Sequence, residues 1–160
     1  MKSRRTARRL ALDVLYEAEI RDVLPNEAFE LRRKEGWVVP APEDQAPLDE
    51  AEALPAPAEE TPGEAALGYA VELTEGVQRH QADIDALIVR YADRWAIQRM
   101  PLVDRNLVRM AIYELGWRDD IPVAVAINEA VELAKELSTD DSGRFINGLL
   151  GRIAEAGAQH

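Results

Sequence analysis

Apolar residues recur every three or four positions along most of the chain, which is the spacing of amphipathic α-helices. The first stripe, within residues 3–22, consists of Ala7, Leu10, Ala11, Val14, Leu15 and Ala18. Later stripes predict helices that begin at Pro25, near Glu64, at Pro101, at Pro122 and within residues 138–142. The second helix ends at Gly36, and the third runs on to Tyr91. No segment shows the sustained period-two alternation of a half-buried strand, so the pattern predicts an all-α protein.

The fourth predicted helix, about residues 102–117, is apolar nearly all round. A helix of this kind is usually central, with neighbours packed on several sides. Glu114 lies among its apolar positions, and an unpaired buried carboxylate is costly. We therefore expect an arginine or a backbone donor beside Glu114.

A segment rich in proline and glutamate interrupts the helical pattern at residues 37–62. Between Pro40 and Pro62 lie six of the nine prolines and no Gly, Lys or Arg. Repeated proline blocks helix continuation, and like charges with few large apolar groups oppose ordering. We expect an extended loop with a short helical turn around 48–54. It is either a passive insertion between two helices or an acidic strand that competes with the ligand of the basic arm.

The formal charge of −11 is distributed unevenly along the 160 residues. Residues 35–78 contain 11 acidic and no basic groups, so the rest of the chain sums to zero. The first nine residues contain five basic and no acidic groups, namely Lys2, Arg4, Arg5, Arg8 and Arg9. This asymmetry predicts a localised basic arm on one domain, divided into residues 1–36, the loop 37–63 and a helical body 64–160.

The turn of the first helix divides its outer residues into two sets. At about 100° per residue, Arg5, Arg9, Tyr16 and Ile20 fall opposite the core stripe, with Leu12 at their flank. Arg4 and Arg8 form a second pair along the edge. Arginine forks suit phosphate, so the arginine face predicts RNA binding. The ridge of Leu12, Tyr16 and Ile20 suits a partner protein or a second copy of the chain in a homodimer.

Several function classes lack the residues they need. There is no cysteine, and the two histidines are His80 and His160, so we expect no disulfide, no multi-histidine metal site and no cofactor. The adjacent Asp140 and Asp141 are typical of a helix cap rather than of a metal site. No apolar run approaches the length of a membrane span, and no signal peptide opens the chain. We expect a cytoplasmic protein that is not an enzyme.

Four strings carry a resemblance to a known family. They are RRTARRLALDVLYEAEI (4–20), VDRNLVRMAIYEL (103–115), PVAVAINEAVELAKELSTDDS (122–142) and FINGLLGRI (145–153). Together they resemble the NusB family of transcription antitermination factors, over residues 3–22 and about 64–153. The resemblance implies two packed three-helix halves and no enzymatic activity. It also implies binding to single-stranded boxA RNA of ribosomal RNA leader transcripts, together with the ribosomal protein NusE, in an antitermination complex on RNA polymerase.

The resemblance also implies roles for individual residues. The arginine-rich start matches the family's RNA-binding segment at Lys2, Arg4, Arg5, Arg8 and Arg9. The rest of the RNA surface is implied at Tyr91, Asp141 and Phe145, and the NusE contact at Tyr16 and Asp104. Helical spacing leaves other roles open: Tyr91 suits the core, Phe145 either packs or faces solvent, and Asp104 suits the helix dipole. The alternative function is a helical adaptor whose arginines meet an acidic partner protein.

Overall fold

The computed structural model describes residues 2–35, 63–92 and 97–157, and these residues form six α-helices. The helices are α1 (Lys2–Arg21), α2 (Pro25–Glu35), α3 (Glu64–Tyr91), α4 (Leu102–Trp117), α5 (Val123–Leu137) and α6 (Asp140–Glu155). The all-α prediction is confirmed, and α3 does run on to Tyr91. A short 3-10 turn, Ile97–Arg99, precedes α4 and was not predicted. The segment 37–62, with its expected turn at 48–54, lies outside the described residues.

The helix starts follow from local sequence. Pro101 and Pro122 occupy the N-cap positions of α4 and α5, one residue before the first helical turn in which they were predicted. At α6, the Thr139 side chain accepts a hydrogen bond from the Ser142 backbone N–H at 2.9 Å. This bond satisfies one of the donors that a helix start leaves unpaired, so the capping role predicted for this run is confirmed.

The helices pack as two groups of three, α1 to α3 and α4 to α6, and α4 contacts helices of both groups. In the first group α1 lies along α3, and α2 contacts both; in the second, α5 lies along α6, and both contact α4. Because α4 also packs on α1 and α3, every residue from 106 to 116 is buried. The central position predicted for this helix is therefore confirmed.

Two contacts fix α4 against the first group. At Gly76 of α3, an added Cβ would lie 2.3 Å from the ring of Tyr113, so the close approach of the two helices requires glycine. About one turn before Tyr113 on α4, Arg109 donates to Glu19 of α1 at 2.8 Å and to Asp85 of α3 at 2.9 Å. These polar links set how α1, α3 and α4 lie together, and so they position the arginine-rich start of α1.

Candidate nucleic-acid interface

The arginines at the start of α1 lie against acidic residues from the second group of helices. Arg5 donates two hydrogen bonds to Glu129 of α5, at 2.8 and 3.3 Å. One turn further along α1, Arg9 donates to Glu136 of α5 at 2.5 Å. The predicted basic arm is therefore a row of arginines that faces a row of carboxylates. The sequence analysis did not predict this pairing. The glutamates at 129, 132 and 136 are spaced three and four residues apart, which indicates an acidic face on α5.

Arg4 of α1 pairs with a carboxylate in the segment between α4 and α5. Its guanidinium donates to Asp120 at 3.0 Å, and Asp120 also accepts two hydrogen bonds from Arg118, at 2.8 and 2.9 Å. The Arg118 hydrogen bonds hold the pKa of Asp120 well below its usual value. In the same way, the bonds from Arg5 lower the pKa of Glu129, while Glu129 raises the pKa of Arg5. Asp120, Glu129 and Arg5 therefore stay charged at neutral pH.

Arg8 differs from its neighbours because its side chain is buried. It is 5% exposed, whereas the side chain of Arg5 is 64% exposed. The Arg8 Nε and Nη2 atoms donate to Glu114 at 3.1 and 2.9 Å, and the Tyr69 hydroxyl donates to the same carboxylate. The expected arginine beside Glu114 is thereby found. The prediction that Arg8 shares an exposed edge with Arg4 is wrong, because α4 and Tyr69 of α3 cover that side of α1.

The packing around α1 also determines which of its apolar residues are exposed. Leu12 is 5% exposed, so its predicted place in an exposed ridge is wrong. Tyr16 and Ile20 do lie on the surface, and Leu24 extends the exposed apolar patch beyond the helix. The difference arises because α2, α3 and α4 all pack on α1, which buries a wider arc than the core stripe alone indicates.

Asp104 lies inside the contact between α4 and α6. It is fully buried, and its Oδ2 atom accepts a hydrogen bond from Ser142 at 2.6 Å. Among the described residues, its Oδ1 atom has no hydrogen-bond partner. The NusE contact that the resemblance implies for Asp104 stays a prediction, made for a side chain that is buried in this structure. Its position in the first turn of α4 fits the helix-dipole alternative.

The other residues implied by the resemblance lie near the ends of α3 and α6. Tyr91 and Phe145 are half-buried and pack against the core, and Arg152 donates to the Tyr91 carbonyl at 3.1 Å. Asp141 is exposed and pairs with Arg144, an exposed arginine that sequence reasoning did not select. Lys2 is the first residue of α1, and its side chain lies outside the described part. The structure thus gathers the arginines on the α1–α5 side and the aromatic candidates on the α3–α6 side.

Among the described residues, no group of three or more histidine or acidic side chains is placed to hold a metal ion. None of the helices in residues 2–35, 63–92 and 97–157 is long and apolar enough to cross a membrane.

Comparisons with known proteins point to one family. The model of the NusB family matches residues 5–155. The transcription antitermination protein NusB of Salinispora arenicola is 50% identical over 155 residues, 97% of each chain. The fold is similar to T. maritima NusB, with a TM-score of 0.73 and 33% identity over 95% of this chain and 90% of that one. It is also similar to a chain in a crystal structure of the antitermination factors NusB and NusE with double-stranded RNA, with a TM-score of 0.75 and 26% identity over 98% of each chain.

Proposed function

The chain belongs to the NusB family, and on that premise we propose that it is a transcription antitermination factor that binds RNA. Its RNA target is the boxA element of ribosomal RNA leader transcripts. It binds this element together with NusE, within an antitermination complex on RNA polymerase. A factor that acts on nascent bacterial transcripts works in the cytoplasm. The solved complex of a relative with NusE and RNA supports both partners.

The observation that carries the proposal is the row of Arg4, Arg5 and Arg9 on the surface of α1. Arg5 holds a carboxylate through two N–H groups, which is the fork geometry by which arginine also binds phosphate. A phosphate that replaces Glu129 or Glu136 can accept the hydrogen bonds that Arg5 or Arg9 donates to that carboxylate. RNA binding on this face is therefore an exchange of one anion for another.

Arg8 has a different part in this function. Its buried pair with Glu114 ties α1 to α4, so it fixes the helix from which the exposed arginines project. Tyr16 and Ile20 lie further along α1 on the exposed apolar patch. We assign the NusE contact to this patch, because it is exposed, apolar and separate from the arginine row.

The proposal is tested by titrating labelled boxA RNA, in single-stranded and double-stranded form, with and without NusE. The expected result is tighter binding of boxA than of a shuffled RNA of equal length, with a further gain when NusE is present. Equal affinity for the two sequences, with and without NusE, would contradict boxA recognition. NusE binding without any RNA binding would favour the helical adaptor.

A further inference from the structure

A cleft of about 510 Å³ lies between the start of α1 and the start of α5. Its apolar part consists of Ile121, Pro122 and Val125. Its polar part consists of three arginines and the two carboxylates paired with them, namely Arg4, Arg5, Arg8, Asp120 and Glu129. The volume falls in the range of about 300–1,000 Å³ that is usual for small-molecule sites. An apolar floor with a few convergent polar groups is also the usual composition of such sites. The cleft can therefore hold one flat ring system of moderate size.

The apolar floor is open to solvent. Val125 is 43% exposed although it is a large aliphatic residue on the first turn of α5, and Pro122 beside it is also exposed. Ile121 lies deeper and is buried. Covering apolar surface of this kind is favourable, by about 25 cal/mol per Å². A ring placed over Pro122 and Val125 gains this energy.

The rim of the cleft selects the kind of ligand. Arg4 and Arg5 both line it, and both keep exposed guanidinium groups. Among the described residues, Arg4 donates one hydrogen bond and Arg5 donates two, whereas a guanidinium has five N–H donors. The Arg4 guanidinium already lies over the Tyr69 ring, 5.2 Å from its centroid, and the remaining donors of both arginines can bind a phosphate at the mouth. An apolar floor for a ring, with cationic forks at the mouth, matches a nucleotide.

We propose that this cleft is a nucleobase subsite: one base of the bound RNA lies on Pro122 and Val125, and its phosphate contacts Arg4 and Arg5. The inference rests on the proposed RNA-binding function and deepens it, because it adds a base contact to a surface otherwise made of phosphate contacts. Phosphate contacts fix the position of a nucleic acid, whereas contacts with bases can distinguish sequences. The subsite also sets the register of the strand along α1, since the next arginine in the row is Arg9, one turn further on.

The test uses Val125→Ser, with Val123→Ser as the matched control. Both valines are exposed on the first turn of α5, but Val125 lines the cleft and Val123 does not. Val125→Ser is expected to weaken RNA binding about five-fold, from the loss of roughly 40 Å² of apolar contact. Its salt dependence should stay that of the wild type, since no charge changes. Val123→Ser should bind as the wild type does, and thermal unfolding of both variants should match it.

A second set of measurements identifies the occupant. RNAs with a single abasic position, moved along the strand, are titrated against the wild type and Val125→Ser. One abasic position should weaken binding to the wild type and have little further effect on the variant, which is the coupling expected of a direct contact. No coupled position, or equal effects of the two serine variants, would overturn the subsite while leaving the proposed function in place. Weaker NusE binding with RNA binding unchanged would also overturn it, because the occupant would then be a protein. If the wild type binds no RNA at all, the proposed function and the subsite both fail.

Discussion

Neighbouring residues of one type have different roles at the start of α1. Arg5 lies on the surface and holds Glu129, whereas Arg8 is enclosed and holds Glu114 together with Tyr69. Burial, and then the Glu114 carboxylate, raise the pKa of Tyr69, so this hydroxyl stays protonated and remains a donor. The three buried groups satisfy one another, and the exposed arginine remains available to a ligand.

The first prediction compares Arg8→Ala with Arg5→Ala. Removing one partner of a buried ion pair leaves an uncompensated charge and costs about 3–5 kcal/mol. Arg8→Ala should therefore lower the free energy of unfolding by about 3 kcal/mol, whereas removal of an exposed ion-pair partner should cost less than about 1 kcal/mol. Denaturant unfolding gives both values. Arg5→Ala, in turn, should weaken RNA binding. A stable Arg8→Ala protein that loses RNA affinity would instead place Arg8 at the phosphate.

The second prediction concerns the close approach of α3 and α4. Gly76→Ala puts a methyl group 2.3 Å from the Tyr113 ring, and overpacking of this kind costs about 1–3 kcal/mol of stability. Gly68→Ala is the control in the same helix, because nothing lies within 4 Å of its added Cβ. The control should gain up to about 1 kcal/mol from better helix propensity. Chemical denaturation that gives the two variants the same sign would refute the packing argument.

At the scale of elements, α5 acts as an acidic counterpart to α1. Its glutamates at 129 and 136 occupy the arginines that we assign to RNA phosphates. The lowered pKa of Glu129 means that its ionised form is preferred in the folded state. The two helices thus stabilise each other in the free protein, and RNA must displace these carboxylates.

The third prediction is that Glu136→Gln tightens RNA binding. The amide keeps the shape of the side chain and removes a charge that competes with phosphate for Arg9, so affinity should rise a few-fold at low salt. The gain should shrink as salt screens the charges, and affinity measured across a salt series checks this. Glu155→Gln, at the exposed end of α6, changes the net charge equally and should give a smaller gain. An equal gain from both variants would mean that only net charge matters.

The fourth prediction concerns acid. Because the pKa of folded Glu129 lies below its usual 4.5, the stability that it contributes is fully present above about pH 4.5. That contribution is lost as pH falls through the folded pKa. Glu129→Gln should therefore be less stable than the wild type at neutral pH, and the gap should narrow below about pH 4.5. Urea unfolding at a series of pH values tests this, and a gap that widens in acid would have the wrong sign.

At the scale of the whole molecule, the periodicity of apolar residues and the positions of the prolines were enough to predict the helices. The stripes and the prolines placed all six, and the apolar surface of residues 102–117 indicated that this helix is central. The burial of Arg8, Leu12 and Asp104 could not be predicted in this way, because it depends on which helices cover them. The pairing of α1 with the acids of α5 is likewise a contact between segments more than a hundred residues apart. Residues on one helix face are predictable, and what lies opposite that face is a tertiary property.

The central claim is that the exposed arginines of α1 bind RNA phosphates. If Lys2, Arg4, Arg5 and Arg9 neutralise about four phosphates, log affinity for single-stranded RNA should fall with log salt at a slope of about −3. The most direct test is this slope in Arg5→Ala/Arg9→Ala, compared with Arg21→Ala/Arg33→Ala, which removes two exposed arginines elsewhere. The account predicts a slope of about −1.4 for the first pair and the wild-type slope for the second. A wild-type slope in Arg5→Ala/Arg9→Ala would contradict it.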